Sequence, residues 1–201
     1  ATNTLRVAKN APQFLVQAEA ALGFPIEVVA GREEARLIYV GVAHTLPDPE
    51  RQQLVVDIGG GSTEFIIGRS FEPVELESLY MGCVGFTMRY FPDGRVDKRG
   101  LKEAELAART EMQTIVHTFR EVGWEAAVGS SGTAKALADL LELNGLSDGD
   151  ITRDGLEALR SHMLRAGNVN RLPMEGMRAD RLPVLPGGFA ISARETYGHT
   201  S

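Results

Sequence analysis

The chain has 201 residues, of which 43% are hydrophobic and 24% are charged, a composition typical of a folded globular protein and not of a disordered one. This length accommodates one domain, or one domain with part of another. The formal net charge of −6 argues against sequence-independent nucleic-acid binding, because such binding needs clustered Lys and Arg. Because the protein is negatively charged overall, a phosphate ligand would need a local binding site, such as backbone amides at a glycine-rich turn or a helix N-terminus.

The sequence gives no support for membrane insertion or secretion. No apolar run approaches the ~18–20 residues of a membrane-spanning helix, and residues 1–10 lack the pattern of a signal peptide. The single cysteine, Cys83, cannot form an internal disulfide and is expected to be a small buried hydrophobic residue. We therefore expect a cytoplasmic protein with no integral membrane segment, and peripheral membrane association stays open.

Apolar periodicity and turn residues predict a mixture of helices and strands. The predicted helices are 10–22, 33–41, 82–90, 101–122, 133–143 and 152–164. The predicted strands are 26–29, 54–58, 63–68, 71–81 and 124–128. Beyond Arg165 the pattern weakens, because Pro173, Pro183 and Pro186 interrupt it. A strand hairpin followed by helices, and then a strand–turn–helix unit, predict an α/β or α+β domain with a mixed sheet.

The stretch Asp57-Ile-Gly-Gly-Gly-Ser-Thr-Glu64 is the first candidate anion site. Glycines let a backbone approach a bulky anion, and hydroxyls add donors, while Asp57 could hold a phosphate-bound Mg²⁺ or position water. A tight hairpin whose glycines supply positive φ angles explains the same residues equally well. No Gly-Lys-Ser/Thr follows, so the stretch is not a Walker A loop. The candidate phosphate contacts are Gly59, Gly60, Gly61, Ser62 and Thr63.

A second candidate lies between the predicted strand 124–128 and helix 133–143. The helix N-terminus there would point at whatever the loop binds, although an ordinary strand-to-helix connection with a Ser cap is the alternative. Its candidate contacts are Gly129, Ser130, Ser131 and Gly132.

Glu33 and Glu34 are adjacent carboxylates in the first turn of a predicted helix. The helix dipole favours acidic residues there, so their presence needs no functional reason. One of them could alternatively serve as a general base for water.

Five segments occur in a fixed order along the chain. They are Thr2-Asn-Thr-Leu-Arg6, Gly31-Arg-Glu-Glu-Ala-Arg-Leu-Ile-Tyr39, Val56-Asp-Ile-Gly-Gly-Gly-Ser-Thr-Glu64, Met81-Gly-Cys83 and Gly129-Ser-Ser-Gly-Thr133. Together they resemble the exopolyphosphatase/guanosine pentaphosphate phosphohydrolase (Ppx/GppA) family over residues 1–191.

The resemblance implies a fold of the actin, Hsp70 and sugar-kinase ATPase superfamily, in which two ribonuclease-H-like domains bind phosphates in the cleft between them. Residues 1–43 would then be the end of the first domain and residues 44–191 the second. Residues 192–201 form a polar tail that does not resemble the family. The family's first phosphate loop has no counterpart here, so the chain is interpreted as a fragment with half of a two-sided site.

The resemblance also implies roles for individual residues. Glu34 matches the general base, Arg6 a phosphate contact, and Asp57 and Glu64 serve Mg²⁺ and water. A monovalent cation such as K⁺ is left open as a second cofactor, and the full-length form is expected to be a homodimer.

Inorganic polyphosphate is the expected substrate, with guanosine pentaphosphate as the alternative. The run Gly59-Gly60-Gly61-Ser62 resembles the exopolyphosphatase branch, since the other branch often has alanine at the third position. The competing hypothesis is that this chain by itself binds phosphate or self-associates without catalysis. A site with only one of its two phosphate-binding sides would leave the terminal phosphoryl group solvated on the other side.

Overall fold

A mixed sheet of four strands is the centre of the computed structural model, which describes residues 1–48, 50–176 and 178–193. The strands are β1 (Gln53–Ile58), β2 (Thr63–Arg69), β3 (Glu72–Leu79) and β4 (Ala126–Ser130). Their order across the sheet is β3-β2-β1-β4; β2 is antiparallel to both β1 and β3, and β4 is parallel to β1. The predicted hairpin around the triple glycine and the predicted third strand are therefore confirmed.

Helices cover both faces of the sheet. In chain order they are α1 (Asn3–Val7), α2 (Ala11–Leu22), α3 (Gly31–Ala43), α4 (Cys83–Tyr90), α5 (Lys98–Val122), α6 (Ser131–Leu143), α7 (Arg153–Ala166) and α8 (Leu185–Ser192). The prediction of a mixed sheet flanked by helices is confirmed.

The alternation of side chains along β1 and β2 produces two apolar layers. On one face, Val55 and Ile66 pack against Ala35 and Tyr39 of α3. On the other face, the strands contribute to the main core, whose other members come from α4 to α8 and the segments between them. Cys83 belongs to that main core, as expected of a small hydrophobic residue.

Besides the short helix α1, which was not predicted, two elements differ from the sequence prediction. Residues 26–29 form no strand. Their backbone groups bind separate partners: Ala1 accepts from the Val29 amide and donates to the Glu27 carbonyl, Glu19 accepts from the Ile26 amide, and Arg6 donates to the Val29 carbonyl. The second difference is α8, which the sequence did not predict. Pro186 lies in its first turn, where a missing amide breaks no helical hydrogen bond.

The predicted polar tail lies mostly outside the described residues, since Ser192 and Ala193 are its only described members. Ser192 ends α8 and is buried. No helix in the described ranges is long and apolar enough to span a membrane.

Candidate active site

A row of polar side chains crosses one end of the sheet. Asp57 of β1 is the register partner of Glu64 on β2 and of Ser130 on β4. Glu64 is in turn the partner of Ser78 on β3, whose hydroxyl donates to Glu64 Oε1 at 2.8 Å. Because register partners project from the same face of a sheet, strand pairing brings these four side chains together.

Helix α3 places Glu34 on the same face as this row. Tyr39 and Ala35 pack α3 onto Val55 and Ile66, so that the first turn of the helix lies over the carboxylates. Gly31 makes this close approach feasible, because a side-chain carbon at that position would lie 2.7 Å from Ser78 Cβ.

Arg6 of α1 fixes the Glu34 side chain. Its Nη1 donates to Glu34 Oε2 at 2.8 Å and to the carbonyl of Val29, also at 2.8 Å. The side chains of Arg6 and Glu34 are only 14% and 17% exposed, so water screens the pair weakly. Glu33, by contrast, is directed outward and pairs with Arg36 on the surface.

Burial governs the electrostatics of the two strand carboxylates. Desolvation raises the pKa of Asp57; hydrogen bonds from Ser130 and Ser131 oppose the shift, and the charge of Glu34 adds to it. Desolvation likewise raises the pKa of Glu64 to about 7, against hydrogen bonds from Ser78 and Ser62. Negative charge on Glu34 and Asp57 adds to the Glu64 shift, so the structure brings all three predicted carboxylates into electrostatic contact.

The triple glycine forms a short loop braced by α4. Carbonyl oxygens of Gly59 and Gly60 accept from the amides of Cys83 and Val84 at 2.9 Å each. The amides of Gly60 and Gly61 donate to no residue in the described part of the chain. These two N–H groups are therefore available to donate hydrogen bonds to an anion.

The loop hydroxyls have different surroundings. Thr63 is buried, and its Oγ1 donates to the Met81 carbonyl at 2.6 Å, which ties the start of β2 to α4. The Ser62 hydroxyl hydrogen-bonds Glu64. These contacts hold the loop and its carboxylate in place.

Gly82 allows α4 to touch the glycine loop. A methyl group at position 82 would lie 2.4 Å from the backbone carbon of Gly60 and the nitrogen of Gly61, and backbone atoms there cannot move aside independently. We expect Gly82→Ala to destabilise the fold by about 3 kcal/mol in urea denaturation. Gly85→Ala in the same helix is the control, because a methyl group there meets nothing within 4 Å. Equal stability of the two variants would contradict this packing.

The second predicted loop connects β4 directly to α6. Ser131 has a left-handed backbone, with φ at 72°. Thr133 Oγ1 donates to the Ile58 carbonyl at 2.8 Å and binds this loop to the end of β1. The loop and the triple glycine therefore approach the same end of the sheet.

Arg181 is a functional candidate that the sequence interpretation missed. A side-chain carbon at Gly132 would lie 2.7 Å from Arg181 Nη2, so the guanidinium covers the start of α6. Asp180 is its ion-pair partner, at 3.6 Å. The signal in the sequence was weak, because Arg181 belongs to a proline-interrupted segment far from Gly132 along the chain.

The donor set fits a magnesium ion that shares its coordination with a substrate. Mg²⁺ binds through one or two carboxylates together with phosphate oxygens and water. Asp57, which is half-buried, and Glu64, which is buried, are adjacent carboxylates whose repulsion a dication would relieve. No group of three His, Cys, Asp or Glu side chains within the described ranges could hold a metal ion. Any such ion would therefore depend on phosphate and water for its remaining ligands.

A cavity of about 1100 Å³ lies elsewhere, along β4 between α6, α7 and α8. It shares only Gly129 with the predicted site residues. The candidate site is instead an open, polar end of the sheet.

Comparison with known proteins agrees with this architecture. The model of the Ppx/GppA phosphatase family matches residues 1–194, and the chain belongs to that family. An exopolyphosphatase-like protein of known structure is 25% identical with a TM-score of 0.83, covering 96% of this chain and 63% of that protein. The Aquifex aeolicus Ppx/GppA phosphatase is 26% identical with a TM-score of 0.69, and the match covers 96% of this chain and 64% of that protein.

A third structure supports the fold alone. The exopolyphosphatase from Cytophaga hutchinsonii is 22% identical with a TM-score of 0.80, covering 95% of this chain and 64% of that protein. The chain thus spans somewhat less than two thirds of the length of these relatives. The predicted family resemblance is confirmed.

Proposed function

We propose that the protein is a Mg²⁺-dependent exopolyphosphatase, which hydrolyses the terminal phosphoanhydride bond of inorganic polyphosphate and releases orthophosphate. The observation that carries the proposal is the position of Glu34 over Asp57 and Glu64. Beside them lies a glycine loop in which two backbone N–H groups have no acceptor among the described residues. Family membership and the likeness to exopolyphosphatase-like structures support the same reaction class.

The loop amides and Arg6 bind and orient the substrate in this proposal. Amides of Gly60 and Gly61 hold phosphoryl oxygens, and a backbone without side chains lets the phosphate chain come close. Arg6 adds positive charge next to Glu34, in a protein whose net charge of −6 would otherwise repel a polyanion. The second loop, with Arg181 over Gly132, supplies further contacts on the other side of β1.

Glu34 activates the attacking water. The carboxylate accepts one proton as the water oxygen bonds to the terminal phosphorus, and the bridging P–O bond breaks in line with the attack. The shortened polyphosphate leaves with the bridging oxygen, and the proton on Glu34 returns to solvent. Asp57 and Glu64 would hold Mg²⁺, which supplies neutralisation of phosphoryl charge when it is bound.

Gly61 favours polyphosphate over guanosine pentaphosphate as substrate. The resemblance associates a third glycine with the exopolyphosphatase branch and an alanine with the other. A methyl group at position 61 would lie 1.9 Å from Asn3 Nδ2, so the Asn3 side chain occupies the space that an alanine at this position would need.

Orthophosphate release tests the proposal directly. The chain is incubated with long-chain polyphosphate or with guanosine pentaphosphate, in Mg²⁺ and after chelation with EDTA. We expect release from polyphosphate that exceeds release from the nucleotide and that stops when Mg²⁺ is removed. Binding of polyphosphate without any release would refute hydrolysis by this chain and favour the phosphate-binding alternative.

A further inference from the structure

Ser131, the first residue of α6, has a backbone conformation that serine rarely adopts. Its φ angle of 72° lies in the left-handed region, where a side chain crowds the backbone and glycine is the usual residue. Ser70 and Asp93 also have positive φ angles, but they lie in the turn after β2 and in the segment after α4, away from the carboxylate row. A strained residue persists in a native fold only where the surrounding contacts hold it, and such residues concentrate at functional sites.

This backbone conformation brings the Ser131 hydroxyl to the end of β1. Its Oγ donates to the Ile58 carbonyl at 3.1 Å. The same hydroxyl also hydrogen-bonds the carboxylate of Asp57, the residue before Ile58. Because a hydroxyl carries a single hydrogen, it donates to these two acceptors in turn. Ser130, the register partner of Asp57 on β4, is the second hydroxyl that hydrogen-bonds this carboxylate.

The attachment of α6 to β1 does not depend on Ser131. Thr133 is in the same turn of α6, and its Oγ1 donates to the Ile58 carbonyl at the shorter distance of 2.8 Å. Glycine would adopt the φ angle of Ser131 without strain, but it would supply no hydroxyl beside Asp57. The contact with Asp57 is therefore the one that accounts for a serine in this conformation.

We propose that Ser131 is a positioning residue, whose hydroxyl holds the Asp57 carboxylate in the orientation in which Asp57 would bind Mg²⁺. This inference rests on the proposed function. Asp57 and Ser131 are both half-buried, so neither residue is sealed from solvent. Hydrogen bonds from neighbouring residues orient the carboxylates that bind metal ions, and loss of one such donor weakens metal binding or activity about 10- to 100-fold.

Two variants separate the effect of the hydroxyl from the effect of the strain. Ser131→Gly and Ser131→Ala both lack the hydroxyl, but only glycine adopts the φ angle of 72° without strain. We expect both variants to bind Mn²⁺ about tenfold more weakly than the parent protein, measured by electron paramagnetic resonance with orthophosphate present. Phosphate release from polyphosphate at limiting Mg²⁺ should fall by a similar factor. The urea midpoint should stay close to the parent value for Ser131→Gly and fall for Ser131→Ala.

Ser70→Gly is the control, because it relieves a φ angle of 55° in the turn after β2 and leaves the carboxylate row intact. Its Mn²⁺ affinity should equal that of the parent protein. Affinity that follows stability instead, near the parent value in Ser131→Gly and weakened in Ser131→Ala, would overturn the role of the hydroxyl, as would unchanged affinity in both. A parent protein that binds no Mn²⁺ would refute the metal site of the proposed function, and this role with it.

Discussion

Replacing Glu34 by Gln should reduce orthophosphate release from polyphosphate by about 1000-fold. The amide has the shape of the carboxylate and can still accept from Arg6 Nη1, which donates to Glu34 Oε2 at 2.8 Å. It cannot take a proton from water, so the chemical step fails while the substrate contacts remain. Polyphosphate affinity, measured by calorimetry, should therefore change little.

The neighbouring carboxylate provides a matched control. Glu33 is in the same helical turn, but its side chain is 44% exposed and pairs with Arg36. Glu33→Gln removes the same charge at a surface site, and we expect release rates within about twofold of the parent protein. Parallel losses in the two variants would indicate a general effect of acidic charge, and full activity of Glu34→Gln would exclude Glu34 as the base.

Replacing Glu64 by Gln should stabilise the protein at pH 8 by about 3 kcal/mol in the absence of Mg²⁺. Glu64 is 2% exposed, and burial raises its pKa from 4.5 to about 7. At pH 8 the folded protein carries this buried carboxylate ionised, beside Glu34 and Asp57. Glutamine removes the charge and keeps an oxygen that can accept from the Ser78 hydroxyl.

The pH dependence of this difference follows from proton linkage. Between pH 4.5 and about 7 the folded protein retains a proton on Glu64 that the unfolded chain has already lost. Stability of the parent protein therefore falls as pH rises through this window and levels off above it. The advantage of Glu64→Gln should disappear below pH 4.5, where both states are protonated.

Urea denaturation at pH 5 and pH 8, with EDTA present, measures the effect. Chelation matters because a bound dication would stabilise the ionised carboxylates. Glu72→Gln is the control for loss of one negative charge, since Glu72 is exposed at the start of β3. A Glu64→Gln variant that is less stable than the parent by the same amount at both pH values would contradict a raised pKa.

Local sequence patterns were sufficient to predict the strands on either side of the glycine loop and several of the helices. β-Branched runs on either side of the triple glycine predicted β1 and β2, and apolar spacing predicted α5 and α6. The predicted start of α7 at residue 152 agrees with the N-cap, because Thr152 Oγ1 accepts from the Gly155 amide at 3.1 Å. The motifs around these elements also identified the family, because they depend on residue type and order alone.

Elements whose existence depends on distant contacts were predicted incorrectly. Residues 26–29 have the β-branched composition of a strand, yet a strand forms only where a partner strand is available. Helix α8 is buried along its whole length, so it has no polar face to generate a helical period. Its one proline, Pro186, was interpreted as a helix breaker, although the first turn tolerates proline.

Residue types and motifs were enough to predict candidates for phosphate binding and water activation: the glycine run, the acidic pair and Arg6. How these residues combine follows from the tertiary structure. Strand register aligns Ser78, Glu64, Asp57 and Ser130 in one row. The packing of α3 directs Glu34, the general base that the family resemblance implies, toward that row, and Glu33 stays at the surface. The contacts of Asn3 with Gly61 and of Arg181 with Gly132 likewise join distant segments. The physical reason is that local propensity acts over a few residues, whereas burial, close approach and charge coupling depend on which segments the fold brings together.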